Sequence, residues 1–244
     1  MGNDFAAVLG LALLPALGNL GGGLLAEWLR PSGVFLNLAL HAAAGVILAV
    51  IAVEVMPEAL GIVPAWLLAL AFLGGGGAYL LLEAGVERWQ ARESAGAGTA
   101  AWMVYAAVTA DLIGDGLLIG AGAAVSTSLA LVLALGQVLA DIPEGFAVIA
   151  NFRDKGTHRI QRLLLSASFV IPVVASAGLA YVALRGQGQA LKLTALVFVA
   201  GLFILAAVED MLREAHASAA DNRWSALSLV AGFALFLTVS GSLD

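Results

Sequence analysis

Residues 111–120 read DLIGDGLLIG and residues 140–151 read ADIPEGFAVIAN, two apolar runs that carry Asp111, Asp115, Asp141 and Glu144. An ionised carboxylate at the centre of a bilayer costs about 2.5–3.5 kcal/mol on insertion scales. Four in neighbouring runs demand something that offsets the cost. The rest of the chain sharpens that demand: 61% of its 244 residues are hydrophobic, 11% are charged, and the mean hydropathy is +0.99. This composition excludes an ordinary soluble domain and a disordered chain, and it predicts an all-α, polytopic membrane helical bundle.

Runs of about 20 apolar residues suit the hydrocarbon core. Breaks at RPSG, LGIVPAW, ERWQARESAGAGT, VSTS, FRDKGTHR, LRGQGQ and HASAADNR divide the chain into eight such runs, approximately 4–29, 33–58, 62–83, 101–125, 128–151, 160–184, 192–214 and 224–243. They form a single transmembrane domain over 1–244, with one long Gly-, Ala- and Ser-rich connection at about 84–100 that reads as a mobile loop. Of the 11 Lys and Arg residues, all but Arg185 and Lys192 follow odd-numbered runs. The positive-inside rule then puts the 84–100 loop and FRDKGTHR in the cytoplasm, with both termini outside a plasma or inner membrane. MGNDFAAVLG lacks a basic start and reads as the beginning of a span rather than a cleaved signal. No basic stripe interleaved with aromatics is present, so nucleic acid is not an expected partner. The bilayer is one, and small residues along the spans suit a homodimer.

Asp111 and Asp115 are four apart and share a helix face, while Asp141 and Glu144, three apart, share another. The short VSTS turn makes the two runs antiparallel neighbours, so four acids converge near mid-span and would repel strongly. Lys and Arg fall in loops or at span ends, which leaves a bound cation to supply the counter-charge. Protonated acids hydrogen-bonded within the bundle, or a proton relay without metal, are the alternative. With no cysteine, any metal takes oxygen and imidazole ligands. Gly114 and Pro143 beside the acids also predict a weak point in each helix, since Pro frees a carbonyl one turn earlier. The Gly-rich stretches near Gly18 and Gly74 read as close helix packing.

These residues resemble the ZIP (Zrt/Irt-like) metal-ion transporters. DLIGDG is similar to the family's fourth-helix pattern, usually His-Asn-x-x-Asp/Glu-Gly, and ADIPEG to its fifth-helix pattern, usually His/Gln-Asp/Glu-x-Pro-Glu-Gly. HAAAGVILAVIAVEVMPEAL resembles the second-helix run, with His41 at its cytoplasmic beginning and Glu54 and Glu58 at its outer end. VEDMLREAH resembles the seventh-helix ending, with Glu209, Asp210, Glu214 and His216 toward the cytoplasm. The resemblance implies eight helices in a 3+2+3 arrangement with inverted outer repeats, and a metal path between the fourth and fifth. The repeat itself is not visible in the letters.

The departures alter the expected site. Asp111, Leu112 and Ala140 stand where the family has His, Asn and His/Gln, and Ile171 stands at a sixth-helix position that binuclear members give to Glu. The resemblance therefore implies one principal ion on Asp111, Asp115 and Glu144, with Asp141 nearby or in its outer shell. An all-carboxylate site suits Mn, Mg or Ca, with Fe(II) and Zn tolerated. The expected function is transport of a divalent cation of the zinc, manganese or iron class toward the cytoplasm. Glu54 and Glu58 would form the entrance, and Glu209, Asp210 and His216 the exit; His158 reads as a loop residue. The metal is substrate, and no prosthetic group is expected. A cation sensor or inactive paralogue is the alternative on the same fold. An intramembrane aspartyl hydrolase is disfavoured because LIG precedes Asp115 where Gly-x-Gly is required, and no Ser-His-Asp set, HExxH or phosphate loop occurs, so no enzyme is expected.

Overall fold

The computed structural model describes residues 2–29, 32–92, 99–220 and 222–242. Those residues form helices and short turns: α1 (Gly2–Leu29), α2 (Gly33–Leu60), α3 (Ala65–Arg92), α4 (Thr99–Val125), α5 (Thr127–Asp154), α6 (Arg159–Leu184), α7 (Gln189–Ser218) and α8 (Arg223–Ser240). Seven of them are long and apolar enough to cross a membrane. The exception is α7, which has 30 residues but whose apolar described part, Gln189–Leu205, is shorter than such a span. Part of the long loop expected near 84–100 is helical, because EAGVERWQAR extends α3 to Arg92 and α4 starts at Thr99, while 93–98 lie outside the described residues. Ala, Glu, Gln and Arg are strong helix formers, so the helix outlasts its apolar part.

Breaks in the sequence become caps. Ser32 and Ser126 accept hydrogen bonds from the Phe35 and Leu129 amides, and Asn222 forms a reciprocal capping box with Ser225. Prolines leave local marks. In α2, Val50–Val55 forms a π turn in which the Met56 amide reaches back to the Ile51 carbonyl, just before Pro57. Helix α6 is interrupted at Phe169, ahead of Pro172, which cannot donate to the Ser168 carbonyl.

Glycine decides which helices meet. A Cβ at Gly22 would fall on the Ile142 carbonyl and one at Gly145 on the Asn19 carbonyl, which presses α1 against α5. Gly116 and Gly120 seat on the Val173 and Ala177 carbonyls and press α4 against α6. Gly45 and Gly232 do the same for α2 and α8, and Gly75 and Gly201 for α3 and α7. Two sub-bundles result, α1 with α4, α5 and α6, and α2 with α3, α7 and α8, joined where α2 meets α5 and α4 meets α7. The principal pairings map onto one another when α1 exchanges with α6, α2 with α7, α3 with α8 and α4 with α5.

The most apolar windows of α2 and α4 are each 67% buried, against 17% for α3, which makes α2 and α4 central and α3 peripheral. Leu40, Ile47, Phe152, Phe203 and Phe236 fill the interior, while Trp28, Trp66, Leu81 and Ile171 face outward. An outer surface this apolar matches lipid rather than water.

Candidate metal centre

The acids sit where α4 and α5 are squeezed by their neighbours. Each pair ends in a glycine, Gly116 after Asp115 and Gly145 after Glu144, and each glycine admits the backbone of another helix. Gly114 likewise faces the Phe203 ring of α7 at 3.1 Å from a Cβ position. The glycines therefore bury the acids by close approach, and α4 and α5 remain helical through Gly114 and Pro143.

One carboxylate oxygen each from Asp111, Asp141 and Glu144 lies within 4.8 Å of the other two. Asp111 and Asp141 are 4% and 1% exposed, and Glu144 is half-buried. Asp141 and Glu144 share a side-chain hydrogen bond, which requires one proton between the two carboxyls. A cation can take the place of that proton. Asp115 is fully buried and lies near enough to act on the charge of Asp141, although the three oxygens within 4.8 Å of one another come from Asp111, Asp141 and Glu144. The donor set is entirely oxygen, which suits hard divalent ions. Ile171 is 70% exposed, so the position given to Glu in binuclear ZIP members faces away from the interior here.

The outlying candidates are scattered. Ser240 donates a hydrogen bond to Glu54 inside the π turn, and Glu58 is exposed at the end of α2. Glu209 accepts from Arg213 at 2.7 Å, with Glu83 on the same guanidinium at 3.3 Å. The side chain of Asp210 lies outside the described residues. Asn151 donates to Glu214 at 2.9 Å, which ties α5 to α7. His216 is exposed and meets His41 edge-on at 5.9 Å, while the His41 Nδ1 donates to the Asn37 carbonyl at 2.8 Å.

Two amides escaped the sequence reading. Asn19 and Gln137 are fully or almost fully buried, and Asn19 and the Gln137 Oε1 have no hydrogen-bond partner among the described residues. Asn19 belongs to the α1 stretch that Gly145 receives, next to Gly18, whose Cβ position is 3.3 Å from the Asp141 Cβ. The signal was an uncharged polar residue within an apolar run, in ALGNLGGG and LALGQVLADIPEG. No family model matches the chain, and no curated protein does either.

Proposed function

We propose that this chain carries a divalent metal cation across a membrane, toward the cytoplasm, through the carboxylates between α4 and α5. The observation that carries the reading is the convergence of Asp111, Asp141 and Glu144 within 4.8 Å inside an apolar bundle. Such a cluster is costly empty and stable around a cation. The ZIP-like motifs point the same way, and the exchange symmetry of the pairing supports a 3+2+3 bundle. In that reading α7 supplies the eighth span, both termini lie outside, and the outer halves are inverted because each exchanged helix runs opposite to its counterpart. The cation is substrate, and its oxygen-only cage favours manganese or iron at least as much as zinc. No chemical step is required, so the protein is proposed as a transporter and not an enzyme.

Uptake by purified protein in liposomes, with Zn, Mn, Fe(II), Cd and Mg in competition, tests the proposal. Saturable uptake that disappears in Glu144→Gln is the expected result. Equal flux in both proteins would remove the carboxylates from the account.

A further inference from the structure

The α4–α5 interface holds a second polar level beside the trio. Neither carboxylate oxygen of the fully buried Asp115 has a hydrogen-bond partner among the described residues. Gln137, 1% exposed, donates its Nε2 to the Asp115 carbonyl at 3.3 Å, and its Oε1 also lacks a partner. Asp111 to Asp115 and Asp141 to Gln137 are both steps of four residues along antiparallel helices. Asp115 and Gln137 therefore face each other about 6 Å from the level of Asp111 and Asp141. One further step along brings Ile119 and Leu133, both fully buried and apolar, which close that side. A buried carboxylate and a buried amide oxygen without donors are costly at one level, and both are ligands for a hard cation.

We propose that Asp115 and Gln137 form a second cation position, one helical turn from the trio on the Ile119 side, for a divalent ion that keeps part of its water. The inference rests on the metal-transport reading. With the orientation set by loop charge, this level lies on the outer side. An incoming ion sheds some water at Asp115 and Gln137 and then passes to the three-carboxylate cluster, whose greater charge holds it more tightly.

Equilibrium dialysis of the purified full-length protein against manganese chloride, with the bound metal counted, tests this position. The parent is expected to hold two Mn(II) per chain, and Gln137→Leu one, with the tighter of the two affinities retained. Gln137→Glu keeps a polar group and adds a carboxylate, so it is expected to hold both ions and to bind the weaker one more tightly. If Gln137→Leu does not fold, Gln137→Glu decides. One ion in the parent, or a second ion indifferent to Gln137, overturns the second position and leaves the trio standing. No ion in the parent overturns the transport reading as well.

Discussion

Glu27 and Glu144 are both acids carried by apolar helices, yet their surroundings differ. Glu27 lies near the end of α1 with its side chain 8% exposed, and Arg162 meets it through Nε at 2.6 Å and Nη2 at 2.5 Å. Arg162 also donates to the Thr157 carbonyl at 2.7 Å, and Arg159 approaches Glu27 at 3.6 Å. Glu144 sits among further acids, with Asp111 and Asp141 as its near neighbours. At Glu27 the protein supplies its own cation and ties α1 to the start of α6. At Glu144 it gathers negative charge, which suits a cation that comes and goes. One arrangement holds the fold together, and the other is the site proposed to hold a cation.

The largest expected effect exploits that difference. Glu144→Gln keeps the shape and removes one charge from a repelling cluster, so liposome uptake should fall to background while thermal stability holds or rises. Glu27→Gln should do the reverse in stability, costing about 3–5 kcal/mol, because Arg162 is left buried without its counter-charge. Thermal unfolding in detergent reads both variants. A Glu144→Gln protein destabilised as much as Glu27→Gln would mean that the cluster is structural, and the contrast would collapse.

Proton competition gives the next effect. Carboxylates must release protons before they hold an ion, so uptake should weaken as the external pH falls and recover as it rises. Uptake that increases steadily with acidification would mean that protons drive the transport cycle rather than compete with the ion for the cluster. Ligand chemistry follows: Asp111→His puts imidazole into the cage and should raise zinc relative to manganese uptake, since imidazole suits Zn better than Mn. An unchanged ratio would mean that residue 111 does not set selectivity.

The two kinds of site were unequally legible in the sequence. Charge inside an apolar run is a local signal, so Asp111, Asp115, Asp141 and Glu144 stood out before any fold was known. The Glu27–Arg162 pair did not, because its residues are 135 apart and Arg162 reads as one more loop charge. Spacing gave the shared faces of the acids but could not say that Asp141, not Asp115, would join the trio. That depends on how α4 and α5 slide along each other. Glycine was ambiguous for the same reason: DLIGDG suggests a weak helix, whereas Gly116 is small because the α6 backbone rests on it. Which helices pair is a property of packing, so no comparison of letters between the two halves exposed the correspondence of their principal pairings.

The smallest effect is expected at Glu209. The sequence reading put it on an exit path, but in the fold it is engaged by Arg213, whose side chain is 59% exposed. An ion pair this open to its surroundings contributes about 0–1 kcal/mol. Glu209→Gln should therefore leave the melting temperature almost unchanged and reduce uptake far less than Glu144→Gln does. A salt dependence of the small change would mark it as screened surface charge. Loss of uptake comparable to that of Glu144→Gln, with the fold intact, would instead show that Arg213 gives up Glu209 during the cycle. The surface pair would then belong with the acids that await an ion, and burial would no longer be what separates holding charges from working ones.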